Sequence, residues 1–148
     1  MTSDRGEKMQ NLVWKMWTRL HVFFYRLTGG RFGGEMRGLK VLLLTTTGRK
    51  SGKRRTTPLG YFEHEGGYVI IASNGGLPSN PAWFYNLKAN PRVDLQVKDQ
   101  QLTALAKQIP SEEHADLWKK LISLAPVYDD YTKRTTREIP LVLLKSAV

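Results

Sequence analysis

The stretch that most constrains the fold is Thr45-Thr46-Thr47-Gly48-Arg49-Lys50-Ser51-Gly52-Lys53-Arg54-Arg55-Thr56-Thr57-Pro58. Before it runs Val41–Thr47, apolar and rich in β-branched or threonine side chains, a pattern that suits a pleated strand. After it, Arg54–Glu63 reads as the returning strand. A chain that goes out, turns tightly and comes back forms an antiparallel hairpin. Pro58 has no N–H to give to a ladder, so it demands an edge or a bulge in the second strand. Five cations lie within the seven residues 49–55, broken by Ser51 and Gly52. Such a turn can aim Lys50, Lys53, Arg54 and Arg55, with free backbone N–H groups, at one volume and hold a phosphate or polycarboxylate without a metal. The same charges serve equally as a solvated hairpin tip.

The rest of the chain continues in short elements. Residues 7–27 carry Val13, Met16, Trp17, Leu20, Phe24 and Leu27 at helical spacing, with Trp14, Phe23 and Tyr25 broadening the apolar side, and Gly29-Gly30 as a stop. That helix either packs on its own domain or lies on a membrane surface. A Gly-rich basic linker, residues 31–40, leads into the first hairpin. Gly66-Gly67 turns into a strand over Tyr68–Ser73, and a loop of breakers follows from Asn74 to Pro81. Pro81 suits the start of a short helix, Ala82–Ala89. Arg92–Lys98 and Gln101–Gln108 form a second hairpin across Asp99-Gln100. Ser111 reads as the cap of a helix whose apolar face is Leu117, Trp118, Leu121, Ile122 and Leu124, ended by Pro126. A polar, aromatic segment precedes the final strand, Ile139–Leu144. Six strands joined by short turns predict a mainly β (α+β) barrel with an N-terminal helix and two shorter outer helices. The organisation predicted is an N-terminal amphipathic helix over residues 1–30 and a barrel over 31–148, with no internal repeat.

Charge narrows the partners. Residues 1–62 hold 13 Lys and Arg against 3 Asp and Glu, whereas residues 63–148 hold 10 against 10. The first part therefore faces something anionic: nucleic acid, lipid headgroups or a phosphorylated cofactor. The cationic turn lacks interleaved aromatics that would stack bases, which argues against nucleic acid. With no cysteine, disulfides, thiolate chemistry and cysteine-based metal sites are excluded, in keeping with a cytoplasmic protein. Residues 12–27 are interrupted by Lys15, Arg19 and Arg26, too polar a stretch to span a bilayer.

Gly48-Arg49-Lys50-Ser51-Gly52-Lys53 is not a phosphate-binding P-loop: its glycine spacing is one short, Arg54 replaces the magnesium-binding hydroxyl, and a strand follows. His21, His64 and His114 have no partner at metal-ligand spacing, so no metal is expected. No nucleophile–histidine–carboxylate set is present. A chain without catalytic groups of its own, if an enzyme, relies on a cofactor for the chemistry. Ala72-Ser73-Asn74-Gly75-Gly76 lets a planar ring approach backbone amides, and Trp83, Phe84 and Tyr85 either wall that ring or fill the core.

Several motifs in order carry a family resemblance: Leu43–Gly52, Arg55, Pro58, Ala72–Gly76, Asn80-Pro81-Ala82-Trp83, Asn86–Pro91, Trp118, Tyr128-Asp129-Asp130-Tyr131 and Ile139-Pro140. Over roughly residues 10–144 the chain resembles the deazaflavin (F420)-dependent nitroreductases. The resemblance implies a split β-barrel and hydride delivery from reduced coenzyme F420, an 8-hydroxy-5-deazaflavin. It places Lys50 and Arg55 on the cofactor's phosphate and oligoglutamate tail, with Arg49, Ser51 and Lys53 beside them. It lines the ring with Pro58, Ala72, Ser73 and Asn74, backed by Trp83, Asn86 and Lys88. Ser73, Tyr128 and Tyr131 match positions that shape the acceptor pocket and are the candidate catalytic residues. Gly60 and Ala125 stand where the drug-activating member has tyrosines, and Asn74 where it has lysine. The expected acceptor is therefore a quinone or activated alkene ahead of a nitro compound. The alternatives are the same fold binding flavin mononucleotide (FMN), for whose single phosphate five cations are excessive, and a non-enzymatic basic module. An anionic membrane surface meeting residues 7–27 would make the protein peripheral to the membrane.

Overall fold

The computed structural model describes residues 3–147. Met1, Thr2 and Val148, which fall within the sequence-based boundaries 1–30 and 31–148, lie outside the described residues. In chain order the elements are α1 (Ser3–Thr28), β1 (Glu35–Met36), β2 (Leu39–Thr47), β3 (Arg54–His64), β4 (Gly67–Ile71), a 3-10 turn (Asn74–Gly76), α2 (Ala82–Ala89), β5 (Arg92–Val97), β6 (Gln100–Gln108), α3 (Ser111–Leu124), α4 (Val127–Thr132) and β7 (Leu141–Ser146). The strands follow the order β1-β2-β3-β4-β7-β6-β5, and β2 also pairs with β5. Six strands thus close into an antiparallel barrel, with β1 as a short addition outside. The closing seam is brief, joining Leu43, Leu44 and Thr45 to Gln96, Leu95 and Asp94.

Period-two alternation explains both sides of the wall. Leu42, Leu44, Ile70, Ala72, Val142 and Leu144 point inward, joined by Val93, Leu95 and Ala104 and by Trp83, Phe84 and Leu87 of α2. Val69, Ile71, Leu141 and Leu143 point outward and are covered by Leu117 and Leu121 of α3 and Tyr128 and Tyr131 of α4. Val41 and Leu43 also point outward, under Val22 and Tyr25 of α1. Buried on both faces, β2 therefore shows the unbroken apolar run seen in the sequence. Pro58 finds its edge: β3 pairs with β2 from Arg54 to Tyr61, but with β4 only from Tyr61 to His64. Residues 54–60 of β3 have one neighbour, and the wall is open beside them.

Several expectations need correction. The segment after Pro126 is a third outer helix, α4, whose carbonyls at Pro126 and Ala125 take the first N–H groups. Ser111 is the first helical residue of α3 and makes no side-chain cap; the extended Pro110 offers its carbonyl to Glu113 and His114 instead. The second hairpin turns across Lys98-Asp99, where Lys98 takes a positive φ of 56°, so Gln100 belongs to β6. The first hairpin after β3 turns at Glu65-Gly66, leaving Gly67 in β4. The last strand begins at Leu141 and runs to Ser146. For α1, where packing on the domain and lying on a membrane both stood open, the barrel takes only the end of the helix. Its stripe of Val13, Met16, Trp17, Leu20, Phe24 and Leu27 is exposed, as is Trp14; Val22 and Tyr25 near the helix end make the apolar contact with the barrel. Tyr25 anchors it: its hydroxyl donates to the Val41 carbonyl at 2.9 Å and accepts the Lys98 N–H at 2.7 Å, across the β2–β5 seam.

Candidate active site

The turn joining β2 to β3 is closed by its own backbone. Gly48 N–H donates to the Lys53 carbonyl and Gly52 N–H to the Gly48 carbonyl, both at 2.8 Å. Lys53 N–H donates to Ser51 Oγ at 3.2 Å, and Arg49 N–H to Asn86 Oδ1 of α2 at 3.1 Å. The expected supply of free amides is therefore mostly consumed, because the turn must satisfy its own donors. The cations remain. Arg49, Lys50, Lys53 and Arg55 are exposed, and among the described residues none has an acidic partner. Arg54 does not join them: its guanidinium is held by Asp94 of β5 and by Thr47 Oγ1. An exposed cluster of like charges repels itself, so four unpaired cations on a rigid turn are suited to an anion that arrives from outside.

Asn86 fixes this turn to the barrel. Buried, it accepts from Arg49 and donates through Nδ2 to Thr46 Oγ1 at 3.3 Å. It backs the site as a brace. Trp83 and Phe84 are buried in the barrel core, edge to face, so core packing is what the aromatic triple mainly supplies. The exception is Tyr85, which lies outside, with the Arg49 guanidinium 5.0 Å from its ring centre. Lys88 is engaged elsewhere, donating to Gln108 Oε1 of β6 at 2.9 Å.

After β4 the chain passes through Ala72 and Ser73, both buried, into the glycine loop. Ser73 is right-handed helical (φ −69°, ψ −35°), while Asn74 (φ 50°) and Gly75 (φ 64°, ψ 19°) are left-handed. A right-to-left sequence of this kind converges successive N–H groups into a concavity. Among the described residues, no backbone carbonyl takes the N–H of Ser73, Asn74 or Gly75. Asn74 directs its side-chain amide to the Ser79 carbonyl at 2.9 Å, which steadies the loop.

The tyrosines of α4 border the glycine loop and β3. A Cβ built on Gly76 would stand 3.5 Å from Tyr131 Cδ1, and one on Gly60 would stand 3.2 Å from the Tyr128 hydroxyl. Tyr131 thus packs beside the glycine loop, and Tyr128 reaches the β3 segment that carries Pro58. Their rings meet edge to face at 5.4 Å, and the Arg37 guanidinium lies 5.4 Å from the Tyr131 ring centre. Burial pushes the Tyr128 hydroxyl above its ordinary pKa, while the charge and hydrogen bond of Arg37 oppose the shift. Arg37 was missed in the sequence because its linker looked featureless.

Arg137 is the second omission. Its Nη1 donates to Asn80 Oδ1 at 2.7 Å, its Nη2 to the Ser73 carbonyl at 2.9 Å and the Ala72 carbonyl at 3.2 Å, and its Nε to the Leu77 carbonyl at 3.0 Å. Partial burial draws its pKa down from the ordinary value, opposed by neighbouring Tyr85. An arginine six residues past the last tyrosine, before Ile139-Pro140, gave no periodic signal of its own.

A barrel with one open-edged strand, a turn of four exposed cations and a glycine loop with free N–H groups is suited to holding an anionic ligand. The chain belongs to the F420H(2)-dependent quinone reductase family, whose profile matches residues 17–146. An F420H(2)-dependent quinone reductase of Mycobacterium tuberculosis (strain H37Rv) is 42% identical over 130 residues, covering 85% of this chain and 87% of that protein. The solved structure of an F420-H2 dependent reductase (FDR-A) is 40% identical, with a TM-score of 0.64, over 71% of this chain and 93% of that one. A solved chain described as a domain-swapped dimer is 32% identical, with a TM-score of 0.66, over 98% of this chain and all of that one. The reading as an F420-dependent oxidoreductase holds, and neither FMN nor a non-enzymatic basic module is favoured.

Proposed function

We propose that this chain reduces a quinone at the expense of reduced F420, with the cofactor's anionic tail on Lys50, Lys53 and Arg55, flanked by Arg49 and Ser51. The observation that carries the assignment is the set of exposed cations that have no acidic partner among the described residues, braced by Asn86 onto α2, whose aromatic side chains fill the barrel core. The cofactor supplies a hydride. Pro58 and the segment Ala72-Ser73-Asn74 form the bed for its ring, with Trp83 behind. Addition of a hydride to a quinone leaves an oxyanion, which needs a donor and then a proton. Tyr128, steered by Arg37, supplies the hydrogen bond; Tyr131 and Ser73 orient the acceptor, and water supplies the proton. Gly60 is buried, and an added Cβ there would lie within 3.1–3.2 Å of Leu39 and the Tyr128 hydroxyl, so a tyrosine at this position has no room and the drug-type pocket is not reproduced; reduction of nitro compounds is expected to be slow. The experiment is tryptophan quenching on titration with F420, FMN and flavin adenine dinucleotide side by side. Tight binding of F420 supports the reading, and tight binding of FMN alone overturns it.

A second reading concerns where the quinone is met. No described helix is long and apolar enough to cross a membrane. Yet α1 exposes Trp14 at 69% and Trp17 at 68%, with Leu12, Leu20, Phe23 and Leu27, interleaved with Arg5, Lys8, Lys15, Arg19 and Arg26. Apolar bulk beside cations favours an anionic lipid surface, each cation adding about 1 kcal/mol. Co-sedimentation with anionic and neutral vesicles should pellet the full chain on anionic lipid at low salt. A chain lacking residues 1–20, which keeps Val22 and Tyr25, should stay in solution. If neither form pellets, α1 has another use.

A further inference from the structure

We infer that Arg137 is a positioning residue of the reaction: it holds the loop Ala72–Asn80 so that the amides of Ser73, Asn74 and Gly75 are presented as a fixed set of donors. The inference rests on the reading that this loop carries the cofactor ring.

The geometry is one of division. A loop rich in glycine has many conformations open to it, and holding one of them costs entropy. Here a single planar guanidinium collects the carbonyls of Ala72, Ser73 and Leu77 and the side-chain oxygen of Asn80. Every acceptor it gathers belongs to the loop, and Arg137 itself lies outside it, between α4 and β7. With the carbonyls drawn to the arginine, the N–H groups of residues 73 to 75 are left to converge in the concavity set by the right-to-left backbone. A fixed cation behind a row of N–H donors also adds to their pull on negative charge, and costs no rearrangement when charge develops. Only an arginine has the forked donors to meet four acceptors at once; a lysine ammonium offers three donors from one point.

The test compares wild type with Arg137→Gln and Arg137→Lys. Without any cofactor, hydroxylamine cleaves Asn-Gly bonds only when the Gly nitrogen can reach the Asn side chain. Cleavage at Asn74–Gly75 should be slow in wild type and faster in Arg137→Gln. With F420, tryptophan quenching should show affinity lower by about tenfold in Arg137→Gln, the scale of one loop N–H donor lost from the set. At saturating F420, kcat should fall about tenfold or more while the KM for quinone stays within about twofold, since the tyrosines still hold the acceptor. Arg137→Lys should recover part of both losses. A brace of the fold alone would lower the melting temperature and leave affinity and kcat at wild-type values, and that result overturns the inference. If wild type itself fails to bind F420, the proposed function falls first; if wild type binds and Arg137→Gln binds equally, only the role of Arg137 falls.

Discussion

Asn86→Leu should loosen the basic turn from the barrel while leaving the shape of α2 nearly intact. The amide sits buried between two partners, accepting from Arg49 N–H at 3.1 Å and donating to Thr46 Oγ1 at 3.3 Å. Leucine fills similar volume and serves neither. A neutral hydrogen bond contributes about 0.5–1.5 kcal/mol net, and stranding a partner adds to the loss, so the pair is worth about 1–3 kcal/mol. Thr46 is buried and can turn its hydroxyl to a carbonyl, whereas Arg49 N–H is half-buried and water can reach it; both limit the loss to that range. For a chain of this size the melting temperature should fall by about 3–10 °C. The turn carries the cations proposed for the cofactor tail, so affinity for F420 should fall as well. Differential scanning calorimetry with and without F420 reads both effects: at about 100 times its Kd the cofactor stabilises wild type by about 2.7 kcal/mol, and the same concentration should protect the variant less. If Asn86→Leu melts with wild type and gains as much from F420, the brace is not what positions the turn.

Three other outcomes are expected. Lys50→Ala and Arg55→Ala should each weaken F420 binding about tenfold without changing the melting temperature, and added salt should weaken wild-type binding too; fluorescence titration at two ionic strengths checks this. Tyr128→Phe and Tyr131→Phe should alter quinone turnover and leave F420 affinity nearly unchanged, so steady-state kinetics beside binding titrations would contradict the assignment if affinity fell instead. Burial pushes the Tyr61 hydroxyl up to about 12, and neighbouring tyrosines and Glu63 add to the shift. In the unfolded chain it ionises near pH 10, so its stabilising effect is complete below about pH 10 and is lost as pH rises toward the folded value, at about 1.4 kcal/mol per pH unit. Urea unfolding at stepped alkaline pH should show that slope, and Tyr61→Phe should flatten it.

The barrel was legible because its strands obey local rules. The apolar run of β2, the glycine turns and the edge-seeking Pro58 each stated their place within a few residues. What was not legible depended on distant partners. The stripe of α1 has helical spacing, but spacing says only that one side is apolar, not what covers it; the barrel face beneath is covered by Val22 and Tyr25, with Met36 of β1 beside them. The polar segment Val127–Thr132 looked like loop because its two buried tyrosines give too short a period to register, and its helical form rests on packing against Ile139, Leu141 and the glycine loop. In the candidate site, the cations and the loop could be read directly from their composition. The sorting of Arg54 to Asp94, of Lys88 to Gln108 and of Arg137 to the loop depended on residues 40, 20 and about 60 positions away, and no window of sequence contains such pairs.

The place of β7 in the sheet has a consequence for biogenesis. It lies between β4 and β6, yet it is the last strand in chain order. Until residues 141–146 have left the ribosome, β4 and β6 each lack a neighbour and the wall has a gap. At about 5–20 residues per second, the nascent chain spends about 6–25 s between the emergence of α1 and the arrival of that strand. Through the first part of this interval, until Val41 and Lys98 have followed it out, the tryptophan-rich helix is outside the exit tunnel with its anchoring Tyr25 unpaired. The order of synthesis thus offers α1 to other surfaces, a lipid bilayer or a chaperone, before the body of the protein exists.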